Sequence, residues 1–358
     1  LPPDIGSLVD LVVLDLSGND LAALPSEIGE LSRLQQLDLR HNHLTQLPPS
    51  IGYLDSLIGL DLRDNRLSTL PAEMVALAHL TSLDLRDNRF EIFPQVILGL
   101  NALEDLQLWS NPLLRFPVEV GALTQLKMLN LGRSGMTEIP PGVWSLTNLE
   151  HLIIDHTRIS RIPSDIEALQ KLEYVELHNN QLTTLPPEIG ALPRLITLIL
   201  HHNALTHLPA EIGQLEQLRQ LDLHQNHLVS LPSEIQALRG LEKLDLSGNP
   251  LSIPPEILNK TTDPATLLRY YLDHLEGQKY PLNEAKMVLV GQANVGKTSL
   301  VNRLVEDAFD PLESTTQGID IRPWQILVND ADVQLNVWDF GGQEIMHATH
   351  QFFLTRRT

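Results

Sequence analysis

Residues 14–25 read LDLSGNDLAALP, and the same frame returns at 37–48 as LDLRHNHLTQLP and at 221–232 as LDLHQNHLVSLP. Aligned on its asparagine, the frame recurs every 23 residues at Asn19, Asn42, Asn65, Asn88 and Asn111. It then meets Ser134 and Thr157 before resuming at Asn180, Asn203, Asn226 and Asn249, which makes eleven repeats, two of them without the asparagine. A fixed period of this length is the mark of a solenoid, in which each unit buries its apolar side against its neighbours. Leu14 and Leu16 have strand spacing, so both face the core while the residue between them faces the opposite, concave side. The asparagine amide carries two donors and an acceptor for backbone groups left open where the chain turns out of the strand. Serine and threonine offer only a hydroxyl, so local irregularity is expected at Ser134 and Thr157. A proline recurs six residues after the asparagine position, from Pro25 to Pro232, where it removes a donor and argues against long convex helices. Pro254 follows Asn249 by only five positions and marks the exit from the array.

The frame L-x-L-x-x-N-x-L-x-x-L-P is the leucine-rich-repeat pattern, so residues 1–258 are expected to form a leucine-rich-repeat solenoid, or horseshoe. Eleven strands at about 4.8 Å give a concave sheet roughly 50 Å long, enough to receive a protein or a helix. Such a face has no chemistry of its own, and its expected role is to bind a protein partner. One concave column pairs Arg40, Arg63 and Arg86 with the aspartates Asp38, Asp61 and Asp84 beside them, which reads as mutual neutralisation on a solvated sheet. By the same register Trp109, Met128, Ile153, Tyr174 and Ile199 fall on the solvent side and would form an apolar central patch suited to partner docking. His178, His201 and His224 stack at repeat spacing, with His156, His202 and His227 nearby. They read as ordinary exposed polar positions, as a pH-sensitive interface, or as a metal site without the cysteines of a closed zinc centre.

Residues 259–283 are read as a connector helix and linker: Asp263 and Pro264 start it, Leu267, Leu268, Tyr271, Leu272 and Leu275 recur at helical spacing, and Gly277 can end it. Residues 284–358 begin a second domain. The apolar strand Lys286–Val290, KMVLV, runs into GQANVGKTS, in which Gly291, Gly296, Lys297 and Thr298 satisfy G-x-x-x-x-G-K-S/T with a helix following. Glycine lets the backbone wrap phosphates, while the amides of Asn294, Val295, Gly296 and Ser299 and the helix start attract their charge. Lys297 reaches the outer phosphates and Thr298 can ligate magnesium. A second apolar strand, Val333–Trp338, leads into DFGGQE at Asp339–Glu344.

This last loop resembles the second switch of Ras-like GTPases. The resemblance gives Asp339 a magnesium-supporting role through water, Gly342 a contact to the terminal phosphate, and Gln343 the catalytic role of orienting water. Thr315–Gly318 resembles the first switch, with Thr316 the better match to the magnesium-contacting threonine and Thr315 the alternative. Repeats, connector helix and a GTPase half ending in WDFGGQEIMHATHQFF together resemble the Roco family of bacterial type, which pairs leucine-rich repeats with a Ras-like Roc domain and a following COR domain. The resemblance implies an α/β chain whose solenoid is followed by a partial Ras-like P-loop GTPase domain. It further implies GTP and GDP as nucleotides, Mg2+, and a homodimer through COR. Ala293 stands where Ras has glycine, and the sequence reaches Thr358 before the N-K-x-D and S-A segments that recognise guanine, so guanine choice comes from the resemblance. With LPPDIG at its start reading as the middle of a repeat, the chain is expected to be part of a longer protein.

Composition is consistent with this reading. A length of 358 residues suits two folding units, and a net charge of -20 opposes binding to nucleic acid or anionic lipid. No apolar run approaches the roughly 20 residues of a membrane span, and the absence of cysteine fits a reducing, cytoplasmic address. The expected function is a GTP-hydrolysing switch with a regulatory interaction surface. The alternative is a non-enzymatic scaffold with an inert nucleotide domain.

Overall fold

The computed structural model describes residues 1–275, 284–289, 296–307, 319–328 and 331–340. The chain divides into two units, Leu1–Leu272 and Asp273–Thr358. In the first, eleven strands of three residues each, from β1 (Val13–Asp15) to β11 (Lys243–Asp245), pair in chain order as one parallel sheet. The register is one repeat per step, Leu14 opposite Leu37 and Leu221 opposite Leu244, so each inward leucine stacks on its counterpart. These leucines form one continuous core running from Leu24 to Tyr271. On the opposite side each proline leads into a five-residue 3-10 turn, as Pro25 does for Ser26–Glu30, and no longer helix interrupts the repeats. The array leaves through α1 (Pro255–Leu258) and α2 (Pro264–Leu275). Leu267, Leu268 and Tyr271 of α2 are buried in the array core, and the Tyr271 hydroxyl accepts the Leu231 N–H at 2.7 Å.

The asparagines fasten each repeat to the one before. Asn111 Nδ2 donates to Leu108 O in its own repeat at 3.0 Å and to Leu85 O in the preceding one at 2.9 Å. Its Oδ1 accepts the Phe90 N–H at 3.1 Å. The residue before the asparagine position is left-handed in every repeat: glycine at Gly18 and Gly248, but His41, Asp64, Asp87, Ser110, Arg133, His156, Asn179, His202 and Gln225 in between. The irregularity expected at Ser134 and Thr157 does not reach the strands, which stay in register with both neighbours.

In the second unit β12 (Glu284–Leu289) runs parallel to β14 (Ala331–Phe340), and β13 (Ile319–Val328) runs antiparallel to β14, in the order β12-β14-β13. The helix α3 (Lys297–Val305) buries Val301, and Val337 of β14 is likewise buried. Arg322 of β13 donates to Asn302 Oδ1 of α3 and lies 3.3 Å from Glu306 just beyond the helix end.

Candidate functional site

Gly296 decides the geometry of the nucleotide-binding sequence. Its φ of 83° and ψ of 25° are left-handed, and it caps the start of α3. Glycine adopts this conformation without a Cβ penalty. Lys297, Thr298 and Ser299, all half-buried, therefore occupy the first helical turn, where the amino end of the helix dipole favours an anion. Strand register sets the strand ends that flank the other two predicted segments side by side. Leu289, the last residue of β12, is the partner of Asp339, and Ile319, the first of β13, is opposite Phe340. The end of β12, the start of β13 and the end of β14 thus lie side by side. Gly291, Asn294, Val295, Thr316, Gly342 and Gln343 themselves lie outside the described residues, and Asp339 is placed by its strand register.

The concave patch is less uniform than its register suggests. Met128, Ile153, Tyr174 and Trp109 are half-buried, but Ile199 is only 7% exposed and is not available as a docking residue. It lies outside the continuous core and sits between Glu176 and Asp222 of the adjacent strands, so its concave-side neighbours cover it. Nor are the apolar residues side by side: Tyr174 is paired with His151 and Thr197, and Ile153 with Asn130 and Glu176. They form a zigzag threaded through polar partners. Trp109 is also committed, its indole N–H reaching Asp155 Oδ2 at 3.2 Å two repeats away with Arg133 over its ring. Gly132 makes this possible, because a Cβ there would lie 1.9 Å from Asp155 Oδ1 and 2.5 Å from the indole.

Three family descriptions match parts of the chain. Residues 286–358 match the family described as Ras of Complex, Roc, domain of DAPkinase. Residues 27–113 and 163–248 match a leucine-rich repeat region, and residues 240–260 match a single leucine-rich repeat. The chain is a leucine-rich-repeat array followed by a Roc domain. That arrangement is of Roco type, as are two of its relatives. The probable serine/threonine-protein kinase pats1 of Dictyostelium discoideum is 35% identical over 125 residues, 29% of this chain and 4% of that protein. A Roc-COR-CHAT protease from an unknown prokaryotic organism is 35% identical over 99 residues, 24% of this chain and 9% of that protein. The Ras-related protein Rab-18 of Caenorhabditis briggsae is 41% identical over 64 residues, 18% of this chain and 32% of that protein. The chain thus spans under a third of the length of each. Among solved structures, the Arabidopsis receptor kinase HAESA is 31% identical with a TM-score of 0.59, over 70% of this chain and 44% of that one.

Along the leucine-rich-repeat face the charged residues divide into two zones. In the early repeats Arg86 pairs with Asp84 at 2.5 Å and Arg40 with Asp38 at 3.1 Å. The aspartates also have a local duty that the sequence reading missed: Asp38, Asp61 and Asp84 accept the backbone N–H two residues on, at 3.0–3.1 Å. In the later repeats Glu176, His178 and Tyr174 form a linked group. The Tyr174 hydroxyl donates to Glu176 Oε2 at 2.8 Å, and burial together with that carboxylate pushes the phenol up. His178, 2.9 Å from Glu176 Oε1, holds the carboxyl of Glu176 below its usual range. Burial pulls His178 down, but Glu176 and Asp155 outweigh it and the net shift is upward. His201 is lowered to about 4 by burial and by neighbouring His178.

Proposed function

We propose that the protein binds guanine nucleotide with Mg2+ and hydrolyses GTP as a molecular switch, and that the array is its protein-interaction and regulatory surface. The observation that carries this is the left-handed Gly296 opening α3, with Lys297 and Thr298 next in line and Asp339 in register with the strand that enters the loop. These residue types fit a nucleotide: backbone amides and an ammonium group for phosphate charge, a hydroxyl and a carboxylate for a hard divalent ion. In this reading Gly291, Asn294, Val295, Gly296 and Ser299 line the phosphates, and Lys297 meets the outer ones. Thr298 and Thr316 hold Mg2+ directly and Asp339 through water. Gly342 donates its amide to the terminal phosphate, and Gln343 orients the attacking water.

The likeness to Rab-18 supports the Ras-like part of this reading, and the Roc-COR-CHAT relative supports a following COR domain through which the protein would form a homodimer. Unaided hydrolysis of this kind is slow, roughly 10⁻⁴ to 10⁻³ per second, so the dimer or a partner on the concave face would complete it. The lack of cysteine is the ground for placing the protein in the cytoplasm. Calorimetric titration of the protein with GTP and GDP in the presence of Mg2+ tests the proposal. Lys297→Ala is expected to weaken binding about 100-fold, in keeping with loss of a partly desolvated charge contact worth about 2–5 kcal/mol. Equal binding and turnover in both forms would instead favour an interaction scaffold with an inert nucleotide domain.

A further inference from the structure

Nucleotide switching makes no use of the histidines of repeats nine and ten, and their geometry is more specific than repeat spacing requires. Stacking of one column explains why His201 and His224 lie face to face, with ring centroids 4.2 Å apart at 19°. It does not explain His202. This residue sits at the left-handed position of its repeat, with φ of 54°, and its ring stands edge-on to both others at 5.1 and 4.9 Å. One nitrogen from each of the three rings lies within 4.8 Å of the other two. His201 Nδ1 and His202 Nδ1 face one another at 2.9 Å, so at least one presents a lone pair there when both rings are neutral.

Asp222 supplies a second, independent feature. Its Oδ1 lies 2.6 Å from His224 Nδ1, and Asp222 is only 8% exposed. A carboxylate at this nitrogen takes the ring N–H, which leaves the lone pair on Nε2 and fixes the orientation of the imidazole. This is how metal-ligating histidines are commonly held from behind. We propose that His201, His202 and His224 bind one divalent transition-metal ion of the zinc class, with Asp222 as the positioning residue for His224. Three imidazoles suit zinc, copper or nickel and leave a fourth position for water or for a group on a bound partner.

A third group, Asp222, His224 and Asp245, shares His224 with the proposed site, and the separate rival location is the neighbouring group Asp155, His156 and His178. There Asp155 Oδ1 is buried without a hydrogen-bond partner, but Oδ2 already binds both the Trp109 indole and His156 Nδ1. Its His156 Nδ1 is therefore held by a carboxylate that also serves the indole, whereas the Nδ1 atoms of His201 and His202 face one another.

The test is competition for Zn2+ between the metal-stripped chain and a chromophoric chelator near neutral pH. One equivalent is expected to bind. His202→Gly is the cleanest variant, since glycine accepts the left-handed backbone and only the ring is lost. It and His224→Ala should each weaken binding at least about 100-fold, with the thermal melt of the His202→Gly protein unchanged or raised. Asp222→Asn keeps an acceptor for the His224 backbone amide while removing the charge, and should weaken binding about tenfold. Failure to retain zinc against the chelator would overturn the proposal. So would an adventitious ion only, recognised by weak uptake indifferent to these substitutions. Loss of binding on His156→Ala, but not on His202→Gly, would move the ion to the rival group and equally overturn the assignment.

Discussion

Asn111 and Ser134 hold the same place in adjacent repeats, and the molecule treats them differently. Asn111 is 1% exposed and closes one carbonyl of its own repeat and one carbonyl and one amide of the preceding repeat. Ser134 Oγ is buried with no hydrogen-bond partner, and the Leu113 N–H that an asparagine would accept turns to the carbonyl of Asn111 at 2.8 Å. At Thr157 the hydroxyl donates to Asn180 Oδ1, the acceptor of the next rung. Yet the strands on either side of both positions keep the common register. Register therefore comes from the inward leucines and the backbone ladder, and the asparagine adds fastening to a sheet whose order is already set.

Exchanging the two kinds of rung tests this division. Asn111→Ala should have the larger effect, about 3 kcal/mol of lost stability in chemical denaturation, because it strands Leu85 O, Leu108 O and the Phe90 N–H in the core. A loss below about 0.5 kcal/mol, the level of an ordinary surface change, would show that the ladder contributes no fastening. Ser134→Asn runs the comparison in reverse. It should gain about 1 kcal/mol by returning the Leu113 N–H to a side-chain acceptor and giving nearby carbonyls a donor. If the variant is neutral or less stable, the rearranged Leu113 turn is the preferred arrangement of that repeat and not a defect.

The period, the inward leucines and the prolines are legible in the sequence because each encodes one physical requirement repeated at a constant spacing. The left-handed residue before each asparagine is not. Histidine, aspartate, serine, arginine, asparagine and glutamine all occupy it, at roughly 1–2 kcal/mol each, so the turn imposes the conformation and no residue type announces it. Ile199 was misjudged for a related reason: register places it on the concave side, but its burial depends on what Glu176 and Asp222 beside it do. In the Roc domain the opposite holds. Gly296 could be read as the residue opening α3 because its type, its neighbours and its conformation all follow from one loop. The coupling of Trp109 to Asp155 left a trace only in Gly132, the small residue between them.

The smallest predicted effect concerns the half-exposed side of the same array. Burial raises the pKa of Asp61, and the charges of Asp84 and Asp38 add to the rise, although the Arg63 backbone amide opposes it. A carboxyl raised in the folded state is a liability once ionised. The folded form then holds its proton more tightly than the unfolded form, so stability falls as pH rises from the unfolded value of about 3.9 through the raised one. Asp61→Asn keeps the oxygen that accepts the Arg63 N–H and removes the charge. It should stabilise the array at neutral pH by no more than about 0.5 kcal/mol, since solvent screens a half-exposed group. That advantage should shrink as acid neutralises the native aspartate and vanish below about pH 4. Melting curves of the two proteins across this range would decide the matter. An advantage that persisted in acid would mean that the gain came from packing and that the Asp61 charge carries no penalty.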